Sequence, residues 1–210
     1  MTETSSVDRD SVSVATETNG KGFIGFLVEL PGAFTRGRSE AEVLSKVPKE
    51  AHSYLEWLGA PRMSEIRGHI VERHHCRLTV EDADGEILLT ADRGDTSQDG
   101  FLRLTDIARQ SGKTFDALCR SSKLKDWVDP SRDRQTFYGN APKTIEEMFN
   151  HVEKTQHYYL SRVGLGVERK QPFMRVRESG LKEIERLFES RGNSELYIVG
   201  GESWTVKKVV

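Results

Sequence analysis

Apolar and polar residues alternate along the first half of this chain, whereas along the second half the apolar ones recur every three or four positions. "SVSVATET" (11–18) has the period-two pattern of a half-buried strand, and the "NGKG" after it has the composition of a turn. "FIGFLVEL" (23–30) reads as a second strand, richer in apolar residues and so more buried. "PGAF" interrupts it, and "TRGR" leads into a helix. "SEAE" (39–42) has the spacing of a capping box, in which Ser39 bonds the amide of Glu42 and the Glu42 carboxylate reaches back. From there to about Leu58, the residues Leu44, Val47, Ala51, Tyr54, Leu55 and Leu58 form the stripe of an amphipathic helix. Pro48 lies inside that stripe, and an interior proline costs ~3 kcal/mol, so a kink or break is expected there. Residues 65–90 supply further strand-like stretches, with "DADG" as a turn.

"ADRGDTSQDG" (91–100) is polar, charged and free of large apolar residues, which makes it the natural linker. Beyond it, Leu104, Ile107, Ala108, Phe115 and Leu118 suit one helix, followed by a proline-bearing loop over 125–143. "TIEEMFNHVEKTQHYYLSRVG" (144–164) is the strongest helix. Thr144 and Glu147 make a second capping box, Gly164 supplies the stop, and the stripe runs Ile145, Met148, Phe149, Val152, Tyr159, Val163. A further helix covers roughly 173–190. The pattern therefore predicts a disordered tail over 1–10, a small α+β unit over 11–90, a linker over 91–100 and an all-helical unit over 101–210. The last stretch, "LYIVGGESWTV", fits a hairpin turning at its two glycines, with Trp204 and Val206 alternating against Thr205.

Composition narrows the function classes. The chain has 210 residues, 36% hydrophobic and 30% charged, with a formal net charge of −2. Such a near-neutral chain offers no global field to draw in nucleic acid or an anionic membrane. No apolar run approaches the ~20 residues of a membrane span, and the polar "MTETSSVDRDS" lacks the form of a signal peptide. Cys76 and Cys119 lie far apart without C-x-x-C spacing, so they read as reduced, half-buried thiols, and a cytoplasmic location is expected.

No phosphate-cradling loop, dinucleotide fingerprint, nucleophile elbow or H-E-x-x-H motif is present, which leaves the six histidines as material for a site. His74, His75 and Cys76 are adjacent on a strand, so His75 faces away from the other two and nothing nearby completes a ligand set. His52 and His69 stand alone. His151 shares a helical row with Met148 and Thr155 at the border of the apolar stripe, whereas His157, six residues on, points elsewhere. Geometry alone makes His151 a satisfied histidine at the core edge rather than a ligand.

Two resemblances bear on that reading. Residues 12–58, through "ELPGAFTRG" (29–37) and "YLEWL" (54–58), resemble the HicB antitoxin fold. That likeness covers under a quarter of the chain. It implies two strands, a third short strand through the aromatic-x-x-G stretch, a capped helix, and a small protein partner. Residues 99–208, through "FYGNAPKTIEEMFNHVEKTQHYYLSRVG" (137–164), resemble the DinB-like four-helix bundles, which are often metal-dependent. This likeness places His151 on the family's first metal ligand, for a zinc- or nickel-type divalent ion. The other two ligands would be a His-x-x-x-His pair on a fourth helix, which typically opens as "ESWTVKKVV" does, here with Thr205 as N-cap. Only about five residues of that helix are present, so the expectation is a bundle lacking its last helix. A site with one of three ligands holds no metal on its own. Thiol transfer or hydrolysis, the family's usual chemistry, is then expected only with ligands supplied by another chain, as in a homo-oligomer. The alternative is a non-catalytic interaction module, in which the HicB-like unit binds a protein partner. A DNA-regulatory role is weakened by the missing recognition helix.

Overall fold

The computed structural model describes residues 11–61, 65–80, 85, 87–136, 138–168 and 170–210. The expected tail over 1–10 and most of the "DADG" turn lie outside them. The fold is mixed α+β, a mixed sheet followed by a helical region, and it divides into two compact units between Ala91 and Asp92.

In the first unit, strands β1 (Ser11–Thr18), β2 (Phe23–Leu27), β3 (Phe34–Gly37) and β4 (Arg67–His75) form one sheet in the order β3-β2-β1-β4. The β1–β2 and β2–β3 pairs are antiparallel, and β4 runs parallel to β1 with an irregularity at Val14/Ala15. Helix α1 (Glu40–Leu58) spans from β3 to β4 and packs on one face. Val12, Val14 and Leu27 of the sheet meet Val43, Val47 and Ala51 of the helix in a single apolar cluster. Glycine at position 25 allows the close approach: a Cβ there would lie 2.4 Å from Val43 Cγ1. The Thr35 hydroxyl donates to the Val43 carbonyl at 3.0 Å and ties β3 to the helix.

Several expectations shift in detail. "TRGR" does not lead directly into the helix, because Phe34–Gly37, the aromatic-x-x-G stretch where a third short strand is expected, first pairs with β2 as an edge strand. Ser39 accepts the Glu42 amide at 3.2 Å as expected, but the Glu42 carboxylate reaches the amide of Arg38 at 2.8 Å, one residue before the cap. Pro48 does not break α1, which continues unbroken to Leu58 and stops at Gly59, with φ 68°. Its buried line is Val43, Val47 and Ala51, leaving Leu44, Tyr54 and Leu55 at the margin. Of the strand-like stretches over 65–90, β4 alone forms a strand among the described residues.

The second unit is built on three long helices: α3 (Gln98–Ser121), α4 (Ile145–Arg162) and α5 (Phe173–Arg191). A short helix, α2 (Thr90–Arg93), precedes them, so helix and not only linker occupies 91–100. Phe101 of α3 and Phe188 of α5 stack with ring centroids 3.9 Å apart at the centre of the core. Arg109 joins the same two helices, donating to Glu178 at 2.9 Å and Glu185 at 3.3 Å, and also to Asp106. The buried line of α3 is Phe101, Thr105, Ala108 and Gly112, and the expected Leu118 is largely exposed. Helix α4 has the complete capping box at Thr144 and Glu147, and it ends at Gly164 with φ 74°.

The unit is not purely helical. Two ribbons interrupt it, β5–β6 (Gln135–Thr136 with Gly139–Asn140) and β7–β8 (Tyr197–Val199 with Glu202–Trp204). The second ribbon turns on Gly200 and Gly201, both at positive φ, a conformation available without strain to glycine. Helix α6 (Val206–Val209) follows at once, with Thr205 accepting the Lys208 amide at 3.2 Å and donating to the Asp92 carbonyl at 3.0 Å. The hairpin and helix readings of this stretch thus hold in succession.

Candidate functional site

His151 sits in the second turn of α4, whose start is fixed by the Thr144 cap. It is half-buried, and its ring lies 4.6 Å from that of Tyr138, tilted by 33°. Tyr138 belongs to the 125–143 segment, which also brings Arg132 nearby, anchored on the Pro142 carbonyl at 2.6 Å. Burial, then the charges of Lys154 and Arg132, hold the His151 imidazole below its usual pKa. The ring is therefore neutral at pH 7, with a lone pair able to accept a proton or ligate a metal. Its charged neighbours nevertheless oppose a further cation at the same place. No group of three or more His, Cys, Asp or Glu side chains is placed to hold a metal among the described residues. Beside His151 stand the Tyr138 phenol and the cations Lys154 and Arg132, none of them a ligand of the set that the DinB-like resemblance implies.

The other histidines fall as strand and helix geometry dictates. His74 bonds Glu72 (Nε2 to Oε1, 2.6 Å), and the Glu72 carboxylate also accepts the Thr90 amide at 3.1 Å. His75 points outward, and His69 bonds the Ser11 hydroxyl at 2.8 Å. His74 and Cys76 are both half-buried on the same side, and Cys76 forms no disulfide. His157 lines a different depression from the cavity described below, beside Lys154, Tyr158 and Lys170. His52 is half-buried on α1.

A cavity of about 220 Å³ opens between α4, α5 and α6. Leu160, Val176, Leu181 and Ile184 give it an apolar lining, and Thr155, Gln156, Tyr159, Arg177 and Lys208 supply polar groups. Gln156 is 8% exposed, the most deeply buried polar residue of α4. Its Oε1 accepts the Arg177 Nε–H at 2.8 Å, which leaves its buried Nε2 without an acceptor. Reading the sequence missed both residues: a glutamine inside an apolar stripe was the signal, and its partner stands 21 positions away on the next helix. Among the described residues no helix is long and apolar enough to cross a membrane. Comparison with known proteins finds no family model that matches, and no curated protein or solved structure that does so either.

Proposed function

We propose that the chain joins a HicB-like unit to a DinB-like helical unit and acts by binding, without metal-dependent catalysis of its own. The observation that supports this reading best is the setting of His151. The charges that act on it, Lys154 and Arg132, are both cationic, and its ring partner is Tyr138. A divalent ion there would have one protein ligand where a catalytic site needs about three, and would meet two like charges. On this reading the helical unit descends from metal-dependent transferase or hydrolase bundles and now serves as scaffold and ligand-binding body. The HicB-like unit, with the edge strand β3 and its "ELPGAFTRG" approach, is the part that takes a small protein partner.

The test is metal content. Protein purified without chelator, and then dialysed against zinc or nickel, is expected to hold far less than one ion per chain, unchanged by His151→Ala. Retention of one tightly bound ion per chain that disappears in His151→Ala overturns the reading and restores a metal centre.

A further inference from the structure

Two arginines of the helical unit are placed in opposite ways. Arg109 is surrounded by Asp106, Glu178 and Glu185, and its charge is satisfied. Arg177 is half-buried and has no carboxylate partner among the described residues. Its Nε–H donates to Gln156, and its guanidinium carbon lies 5.8 Å from the centre of the Phe173 ring. Burial lowers its pKa, the mark of a cation held out of water without a counter-charge.

Further donors stand near Arg177. The Gln156 Nε2 is buried and lacks an acceptor. Lys208 Nζ is steadied by the Ser203 carbonyl at 3.2 Å and the Trp204 ring at 4.3 Å, and it lines the same cavity. Buried donors without acceptors are costly unless something fills them. Thr155 and Tyr159 add hydroxyls, which can donate or accept. An uncompensated cation with donors beside it selects an anion. The remaining lining, Leu160, Val176 and Ile184, is apolar and selects a hydrocarbon.

We propose that this cavity binds a small amphipathic carboxylate, with the head group on Arg177 and Gln156 and a short aliphatic chain against Leu160, Val176 and Ile184. A planar carboxylate matches the terminal N–H pair of a guanidinium in a bidentate bond. The size follows from the volume: a dry cavity of about 150 Å³ takes a benzene ring, so one of about 220 Å³ takes about nine non-hydrogen atoms. Hexanoate fits that limit. His151 is not among the residues that line the cavity, and the site does not depend on either family resemblance.

The experiment is an NMR titration of the ¹⁵N-labelled full chain with sodium hexanoate, and separately with 1-hexanol and inorganic phosphate at equal ionic strength. Hexanoate is expected to shift the Gly180 and Ile184 amides and the Gln156 side-chain amide, and to bind about tenfold or more tighter than hexanol. Arg177→Met should abolish that preference while hexanol still binds. The wild-type comparison of acid with alcohol stands by itself if the variant does not fold. Equal affinity for acid and alcohol, tighter binding of phosphate, or shifts confined to other residues each overturn the proposal.

Discussion

At the residue scale, the sharpest constraints are places where one atom more or less is decisive. An added Cβ on Gly25 would come within 2.4 Å of Val43 Cγ1 and 2.9 Å of Val14 Cγ1. Both neighbours are β-branched and stiff at χ1, so the helix itself would have to move. Gly25→Ala is expected to destabilise the first unit by about 1–3 kcal/mol, measured as faster hydrogen exchange of the β1 and β2 amides. Gly180 is a useful contrast. Its added Cβ would meet Leu160 Cδ1 at 2.9 Å, the far end of a side chain that can rotate, and alanine favours the helix by about 1 kcal/mol. Gly180→Ala should be near neutral in the same measurement on α5.

Glu72 carries a residue-scale prediction on pH. Burial alone would raise its carboxyl, but the hydrogen bonds from the Thr90 amide and from His74 outweigh that and hold it below the usual glutamate range. A carboxylate with a depressed folded-state pKa adds stability that is complete above the unfolded value, about pH 4.3, and is lost as pH falls through the folded value. Urea unfolding of the first unit from about pH 6 to about pH 3 should therefore show a steeper loss in the wild type than in Glu72→Gln. Equal slopes would mean that the Glu72 contacts are not charge-dependent.

At the scale of elements, α1 and α4 separate what the sequence makes legible from what it does not. Local chemistry was readable: Ser39, Thr144 and Gly164 start and stop helices where their side chains and backbone require. Stripes were readable only to within a residue. In α1 the sheet surface chooses Val43 over Leu44, because Gly25 opposite leaves room for a close-set valine. Strand β3 was not readable from its pattern, since only Thr35 of its four residues is buried. The polar pair Gln156–Arg177 depends on how two helices pack, and no spacing within either helix encodes that. Pro48 gives the prediction at this scale. It removes one backbone donor from the interior of α1, yet the helix continues through it. Pro48→Ala restores the donor, offset in part by a freer unfolded chain, and should stabilise the first unit by about 1–2 kcal/mol in urea unfolding. A loss of stability instead would show that the sheet packs against a bend which the proline imposes.

At the scale of the molecule, two apolar clusters among the described residues share no residue. One is centred on Val14, Val43 and Val47, the other on Phe101, Phe188 and Trp204. The change of hydrophobic period near residue 91 is the sequence counterpart of that division, because a sheet-and-helix core and a helix-on-helix core need different spacings. A chain of this kind departs from two-state unfolding, so its calorimetric enthalpy should exceed the van't Hoff value. Phe101→Ala makes the prediction specific. The ring is fully buried against Phe188, and its removal should cost about 3–5 kcal/mol of the second core. Native-state hydrogen exchange should then speed up across α3 and α5 while the β1 and β2 amides keep their wild-type protection. Acceleration of both sets together would mean that the two cores unfold as one cooperative body despite sharing no side chain.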